Sequence, residues 1–154
     1  MHDQEVGKIK EKIYAYCAYQ ERSEFEVMQK LAELGLSVDE SEKMLVHLKQ
    51  DNFVNNQRFA FAFVGGKFRI KKWGRLKIKS ALKQFGIEAS LIAQAMDQEI
   101  EEEQYLETLT DLAIKKNESI RDKDAVQKKA KLVRYLAAKG YESELIWEVV
   151  NQLA

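Results

Sequence analysis

Aliphatic and aromatic positions recur every three or four residues over most of the chain, the spacing that gathers them on one face of an α-helix. Three stretches repeat one such pattern: LAELGLSVDESEKML (31–45), LKQFGIEASLIAQAM (82–96) and LAAKGYESELIWEVV (136–150). In each, a leucine (Leu31, Leu82, Leu136) precedes a glycine (Gly35, Gly86, Gly140) by four residues. An aliphatic residue (Val27, Ile78, Leu132) stands four earlier still. The glycines lie 51 and 54 residues apart. A glycine directly after a periodic run is the usual left-handed stop of a helix. The apolar residue after it (Leu36, Ile87, Tyr141) leads through a short polar stretch into a second helix, with Met44–Leu45, Ala95–Met96 and Val149–Val150 at matching offsets. The frame has one flaw: Ser41 stands where the other copies have Ile92 and Ile146.

A further amphipathic helix precedes each pair. The first spans roughly 6–20, with Ile9, Ile13, Tyr16 and Cys17 inward, and the third roughly 99–116, with Tyr105, Leu109, Leu112 and Ala113 inward. The middle copy places its helix at 55–72, over RFAFAFVGGKFRI (58–70). Local chemistry there points elsewhere. Phe59, Phe61 and Phe63 alternate with alanines, and Gly65–Gly66 could close a two-residue hairpin. A ribbon at 53–71 after helices 24–34 and 38–50 would have the order of a winged helix. Its recognition helix would be VDESEKMLVHLKQ, whose first turns carry Asp39, Glu40 and Glu42. Acids in that place repel DNA, where arginines or amides are needed. The frame therefore takes precedence, and the segment is read as a helix with Phe59, Ala60, Phe63 and Val64 on one side. The predicted fold is all-α: three tandem three-helix repeats (1–54, 55–98 and 99–154) forming an elongated right-handed or curved array.

Composition agrees. The chain has no proline and seven glycines among 154 residues, so little interrupts a helix. Its single cysteine excludes an internal disulfide, and Cys17 falls on an apolar helical face as a small buried residue. The opening MHDQEVGKIK lacks the apolar stretch of a signal peptide. No apolar run approaches the roughly 20 residues that span a bilayer. A cytoplasmic, monomeric protein is expected.

Net charge is zero, but it is unevenly placed. Asn52 through Ile87 holds nine bases (Arg58, Lys67, Arg69, Lys71, Lys72, Arg75, Lys77, Lys79, Lys83) and no acid, whereas Glu88 through Asp124 holds eleven acids against four bases. A segment this purely basic points to an anionic partner; the plainer account is two solvated faces that partly neutralise each other.

Catalytic chemistry is not in view. Two histidines and one cysteine cannot supply a four-ligand zinc site of those residues. His2 is read as lacking a fixed place and His47 as solvated. The glycines do not fit a phosphate loop. The carboxylates of DQEIEEEQYLE (97–107) read as a solvated acidic face without the apolar pocket that tunes a general acid. No cofactor, metal or enzymatic activity is expected.

Four motifs resemble the RecX family, small all-α regulators of the RecA recombinase. RSEFEVMQKL (22–31) is similar to the family's opening Arg-Ser…Glu-Leu…Leu helix, through Arg22, Ser23, Glu26 and Leu31. QRFAFAFV (57–64) resembles its Arg-Phe-Ala…Phe/Tyr-Val signature, and KKWGRLKIKSALKQFGI (71–87) its Lys…Gly…Lys-Ile…Leu…Gly segment. LVRYLAAKGYESELIWEVV (132–150) is similar to the last helix pair. The likeness covers nearly all of the chain after about residue 12. Two features depart from it. QDNFVNNQRF carries Asn52, Asn55 and Asn56 where the family usually has Gly and then an acid, and the Gly65–Gly66 pair is a candidate break in its helix. The asparagines can still cap a helix. The resemblance implies three tandem three-helix repeats that dock on the RecA filament and modulate, mostly inhibit, its recombinase and ATPase activity in DNA repair and recombination. Arg58, Lys71, Lys72, Arg75, Lys77 and Lys79 are the basic contacts expected toward the filament or its DNA. The competing reading is a DNA-binding protein, sequence-independent or winged-helix-like, using residues 53–83.

Overall fold

The three glycines end their helices in one and the same way. In the computed structural model, which describes residues 2–153, Gly35, Gly86 and Gly140 have φ of 96°, 72° and 102°. That left-handed conformation lets the next amide turn back: Leu36, Ile87 and Tyr141 donate to the carbonyls of Leu31, Leu82 and Leu136 at 3.0, 3.1 and 3.3 Å. The glycine amides bond to Ala32, Lys83 and Ala137. Each leucine and the apolar residue beyond its glycine are buried together, the apolar clasp that accompanies this stop.

Among the described residues there are nine α-helices and no strand: α1 (His2–Tyr19), α2 (Glu24–Glu33), α3 (Val38–Gln50), α4 (Asn56–Arg69), α5 (Arg75–Gln84), α6 (Ala89–Glu99), α7 (Glu102–Ser119), α8 (Ala125–Ala138) and α9 (Ser143–Gln152). They fall into the three sets of three that the glycine frame requires. Starts are fixed by side chains as well. Ser23 and Glu26 form a reciprocal capping box on α2, Ser37 caps α3, and Asp124 accepts from Val126 at the start of α8. Asn55 accepts from the Arg58 amide at 3.0 Å at the start of α4.

The segment 58–70 is a helix, so the hairpin and the winged-helix form that needs it are set aside. Phe59, Ala60, Val64 and Phe68 are buried on one side of α4; Phe63 is half-buried. The helix also runs unbroken through Gly65 and Gly66, contrary to the expected break. Gly65 is buried because the Arg69 guanidinium and the Glu99 carboxylate lie over it, where a Cβ would otherwise project. Arg69 donates there to Glu99 Oε1 at 2.9 Å and to the Glu99 carbonyl at 3.2 Å.

The chain divides into two compact units. One takes in the chain up to Ala62 together with Leu82–Ile92, and the other Phe63–Ala81 and the chain from Ala93 on. In the first unit, Ile13, Cys17, Val27, Leu31, Leu36, Met44, Leu48 and Val54 form the core. Ser41 is buried at the place its counterparts Ile92 and Ile146 also occupy. His2 is not loose as expected: its Nε2 lies 2.7 Å from Glu40 Oε2. That bond, reinforced by the Glu40 charge, raises the imidazole pKa above its ordinary value.

In the second unit two main chains meet at glycines. Gly74 N–H donates to the Lys139 carbonyl at 2.8 Å and Leu76 N–H to the Gly140 carbonyl at 2.9 Å. A Cβ on Gly74 would strike the Gly140 main chain, and one on Gly140 would strike Lys77. Gly66 differs, being helical with nothing within 4 Å of a built Cβ. Replacing Gly66 with alanine is expected to stabilise the protein by about 1 kcal/mol. The same change at Gly74 is expected to destabilise it by about 1–3 kcal/mol. Urea unfolding of the two variants checks both signs.

Candidate docking surface

The acid-free block divides by residue type. All three of its arginines are committed within the fold. Arg58 Nε bonds to both Glu21 oxygens at 2.7 and 2.9 Å, and its Nη atoms bond to Asn52 Oδ1 and the Asn52 carbonyl, each at 3.1 Å. Asn52 sits at φ 62°, in the left-handed region, so Arg58 closes the turn between α3 and α4. Arg69 is held by Glu99. Arg75 is half-buried between two carboxylates: it pairs with Glu142 at 2.8 Å and with Glu102, while its guanidinium lies 3.9 Å from the Tyr105 ring centre. Two arginines expected at a partner, Arg58 and Arg75, thus serve as internal braces.

The six lysines of the block behave differently. Among the described residues no carboxylate lies within ion-pair distance of Lys67, Lys71, Lys72, Lys77, Lys79 or Lys83. Four of them gather in the second unit around the turn between α4 and α5. Lys71 and Lys72 are exposed on that turn. Lys67 and Lys77 place their ammonium groups 4.8 and 4.4 Å from the centre of the Trp73 ring, within cation–π range. Lys79 is exposed on α5. The same turn leaves Ile70 77% and Leu76 54% exposed, so the surface mixes positive charge with apolar area. Sequence reasoning passed over Trp73 and Lys67. The available signal was a tryptophan inside an acid-free run.

The turn itself is rigidly tied. Lys72 takes φ 60° and ends α4 as a glycine would: the Trp73 amide reaches back to the Lys67 carbonyl at 3.0 Å. Its Nζ donates to the Arg69 carbonyl at 2.8 Å, and its own carbonyl accepts from the Tyr141 hydroxyl at 2.8 Å. Lys139 Nζ donates to the Lys71 carbonyl at 3.4 Å. Beneath the turn, the Tyr105 hydroxyl accepts from the Arg75 amide at 2.9 Å and donates to Glu142. Burial, and then the Glu142 bond, push the Tyr105 phenol above its ordinary pKa of 10.0. Burial first, and then the charge of the neighbouring Glu142, do the same to Tyr141. For Arg75, burial works against the charge, but the Glu142 bond prevails and the pKa is raised.

No helix among the described residues is long and apolar enough to cross a membrane, and no cluster of His, Cys, Asp or Glu among them is placed to hold a metal ion. The surface offers cations, an indole and exposed aliphatic side chains. It offers binding.

Comparison with known proteins adds the following. The family model described as RecX, second three-helix domain, matches residues 55–96, and that for the RecX third three-helix domain matches residues 102–150. The chain is 32% identical over 135 residues to the Regulatory protein RecX of Clostridium acetobutylicum, covering 86% of this chain and 62% of that protein. It is 29% identical over 139 residues to the Regulatory protein RecX of Lactobacillus johnsonii, covering 90% of this chain and 51% of that protein. This chain therefore spans only part of the length of those relatives. The crystal structure of RecX from Lactobacillus salivarius has the same fold, with a TM-score of 0.83 at 22% identity, over 98% of this chain and 97% of that one.

Replacing Tyr105 with phenylalanine is expected to destabilise the protein by about 1–3 kcal/mol, because the Arg75 amide and Glu142 lose a buried partner. The folded phenol holds its proton more tightly than the unfolded one, whose pKa is near 10.0. The hydroxyl's contribution is therefore complete below that pH and is lost as pH rises toward the folded pKa. Urea unfolding at pH 8 and above pH 10 should show the gap between wild type and Tyr105→Phe narrowing at the higher pH.

Proposed function

This chain belongs to the RecX family of regulatory proteins, and on that premise we propose that it docks on the RecA recombinase filament and inhibits its recombinase and ATPase activity. It does so as a cytoplasmic monomer in DNA repair and recombination, by binding and without catalysis of its own. The observation that carries the reading is the lysine-rich turn: Lys71, Lys72 and Lys77, with Lys79 on α5, have no carboxylate in ion-pair distance among the described residues, and two exposed aliphatic side chains stand beside them. A filament groove is shared by successive subunits, and a repeat protein can bridge them. Affinity then comes from extended contact, while the lysines govern approach and orientation. In this reading Arg75 supports the turn from within its unit, and Arg58 braces the turn between α3 and α4.

One observation favours a second reading, direct attachment to DNA. Unpaired lysines beside an indole also suit a nucleic-acid strand. Phosphate binding weakens with salt at a slope of about −0.9 per contact on duplex DNA, whereas a protein–protein contact with an apolar component is less sensitive.

Titrating the chain into RecA's DNA-dependent ATPase and strand-exchange reactions tests the proposal. Wild type is expected to lower both rates, and Lys71→Glu/Lys72→Glu/Lys77→Glu to lose at least about tenfold in potency with helical content unchanged. Lys72→Gly relieves a left-handed lysine, and its stability in urea unfolding is expected to rise by about 1 kcal/mol. An unaltered titration by the triple variant removes the turn from the mechanism. Tight binding to duplex DNA with no effect on RecA favours the second reading.

A further inference from the structure

A second surface of the same unit is apolar, open and bordered by cations. The end of α7, the first half of α8 and the last turn of α9 enclose a groove of about 400 Å³. Leu132 and Val150, both buried, form its floor, with Leu153 half-exposed and Val126 77% exposed at its side. Lys128 and Lys129 line its rim. Neither has a carboxylate within ion-pair distance among the described residues. α8 carries four bases (Lys128, Lys129, Lys131, Arg134) and no acid; among the described residues only Lys131 of these is ion-paired, with Asp122 at 3.0 Å. One turn before Val150, Trp147 remains 43% exposed, and the Lys129 ammonium lies 5.7 Å from its ring centre.

We propose that this groove docks an acidic amphipathic helix of a partner protein, at a place distinct from the lysine-rich turn. The two halves of the groove specify the two halves of the ligand. An apolar floor needs side chains that leave water, and a helix delivers them at i, i+3, i+4 and i+7. A rim whose described lining residues include two cations and no acid needs carboxylates along the flanks of that helix. A nucleic-acid strand would satisfy the rim but leave the floor wet. A neutral amphipathic helix would fill the floor but gain nothing from the rim. The positive rim also disfavours basic amphipathic helices.

The test uses the full chain and short fluorescein-labelled peptides with leucines at i, i+3, i+4 and i+7. In one peptide the other positions are glutamate-rich, in a second they are lysine-rich, and a third has the acidic composition scrambled. By fluorescence anisotropy the acidic amphipathic peptide is expected to bind, and the other two to bind at least about tenfold more weakly. Lys128→Glu/Lys129→Glu is expected to weaken the acidic peptide by a similar factor. So is Val126→Asp, whose position is exposed enough for the variant to fold. Chemical-shift changes in the labelled chain are expected at Val126, Leu132, Val150 and Leu153. Equal binding of the three peptides, unchanged affinity in the variants, or shifts centred on Trp73 would overturn the proposal. Self-association of the chain that Val126→Asp abolishes would give the groove to a second copy, and displacement of the peptide by single-stranded DNA would give it to nucleic acid. Both results overturn it as well.

Discussion

Gly74 and Gly140 bring two main chains closer than any side chain allows, and the residues of the lysine-rich turn are positioned beside that approach. The main-chain bonds Gly74–Lys139 and Leu76–Gly140 fasten the start of α5 to the turn between α8 and α9. Once the backbones touch, Tyr141 reaches the Lys72 carbonyl, Lys139 reaches the Lys71 carbonyl, and Arg75 falls between Glu102 and Glu142. A lysine-rich turn would otherwise tend to be a mobile loop, because its like charges repel. Here its main chain is bonded at every residue from Lys71 to Gly74. The cations stand on a fixed base, so less is lost when a partner orders them.

Arginine and lysine divide the labour by their chemistry. A planar guanidinium with five donors can satisfy several acceptors at once and stack on an aromatic ring. Arg58 does the first at Glu21 and Asn52, and Arg75 does both at Glu142, Glu102 and Tyr105. Such bonds brace turns. A lysine ammonium is a hydrated point charge on a flexible stem, at home where it remains available to an incoming anion. Of the nine bases in the acid-free block, the acidic stretch after Glu88 pairs, among the described residues, only with Arg69 and Arg75, through Glu99 and Glu102. The lysines retain their charge for the outside.

The fold was legible because its determinants are periodic. Leu31, Leu82 and Leu136 with Gly35, Gly86 and Gly140 repeat at fixed offsets, and each set forms the same backbone stop. That periodicity outweighed the local pattern of Phe59, Phe61 and Phe63, which alternation alone assigns to a strand. The surface was legible only as a charged region. Net charge along a segment does not distinguish an arginine that is paired from a lysine that is not, since the partners Glu21 and Glu142 lie 37 and 67 residues away in sequence. Lys72 as a helix stop was hidden as well, because a left-handed lysine leaves no compositional trace. Gly65 misled for a related reason: its missing side chain makes room for the Arg69–Glu99 pair and does not break the helix. The groove beside α8 depends on which parts of α7 and α9 come near Val126, a tertiary fact.

Amide hydrogen exchange at Gly74 and Leu76 is the most direct measure of whether the lysine-rich turn is clamped. Both amides donate across the glycine contact at 2.8 and 2.9 Å. If that contact holds the turn, they exchange as slowly as amides of buried helical residues such as Leu109 and Leu136, because all are released by the same unfolding of the unit. Exchange at the rate of an open surface turn, with Leu109 and Leu136 still protected, would mean that the turn detaches freely, and the fixed docking surface would not exist.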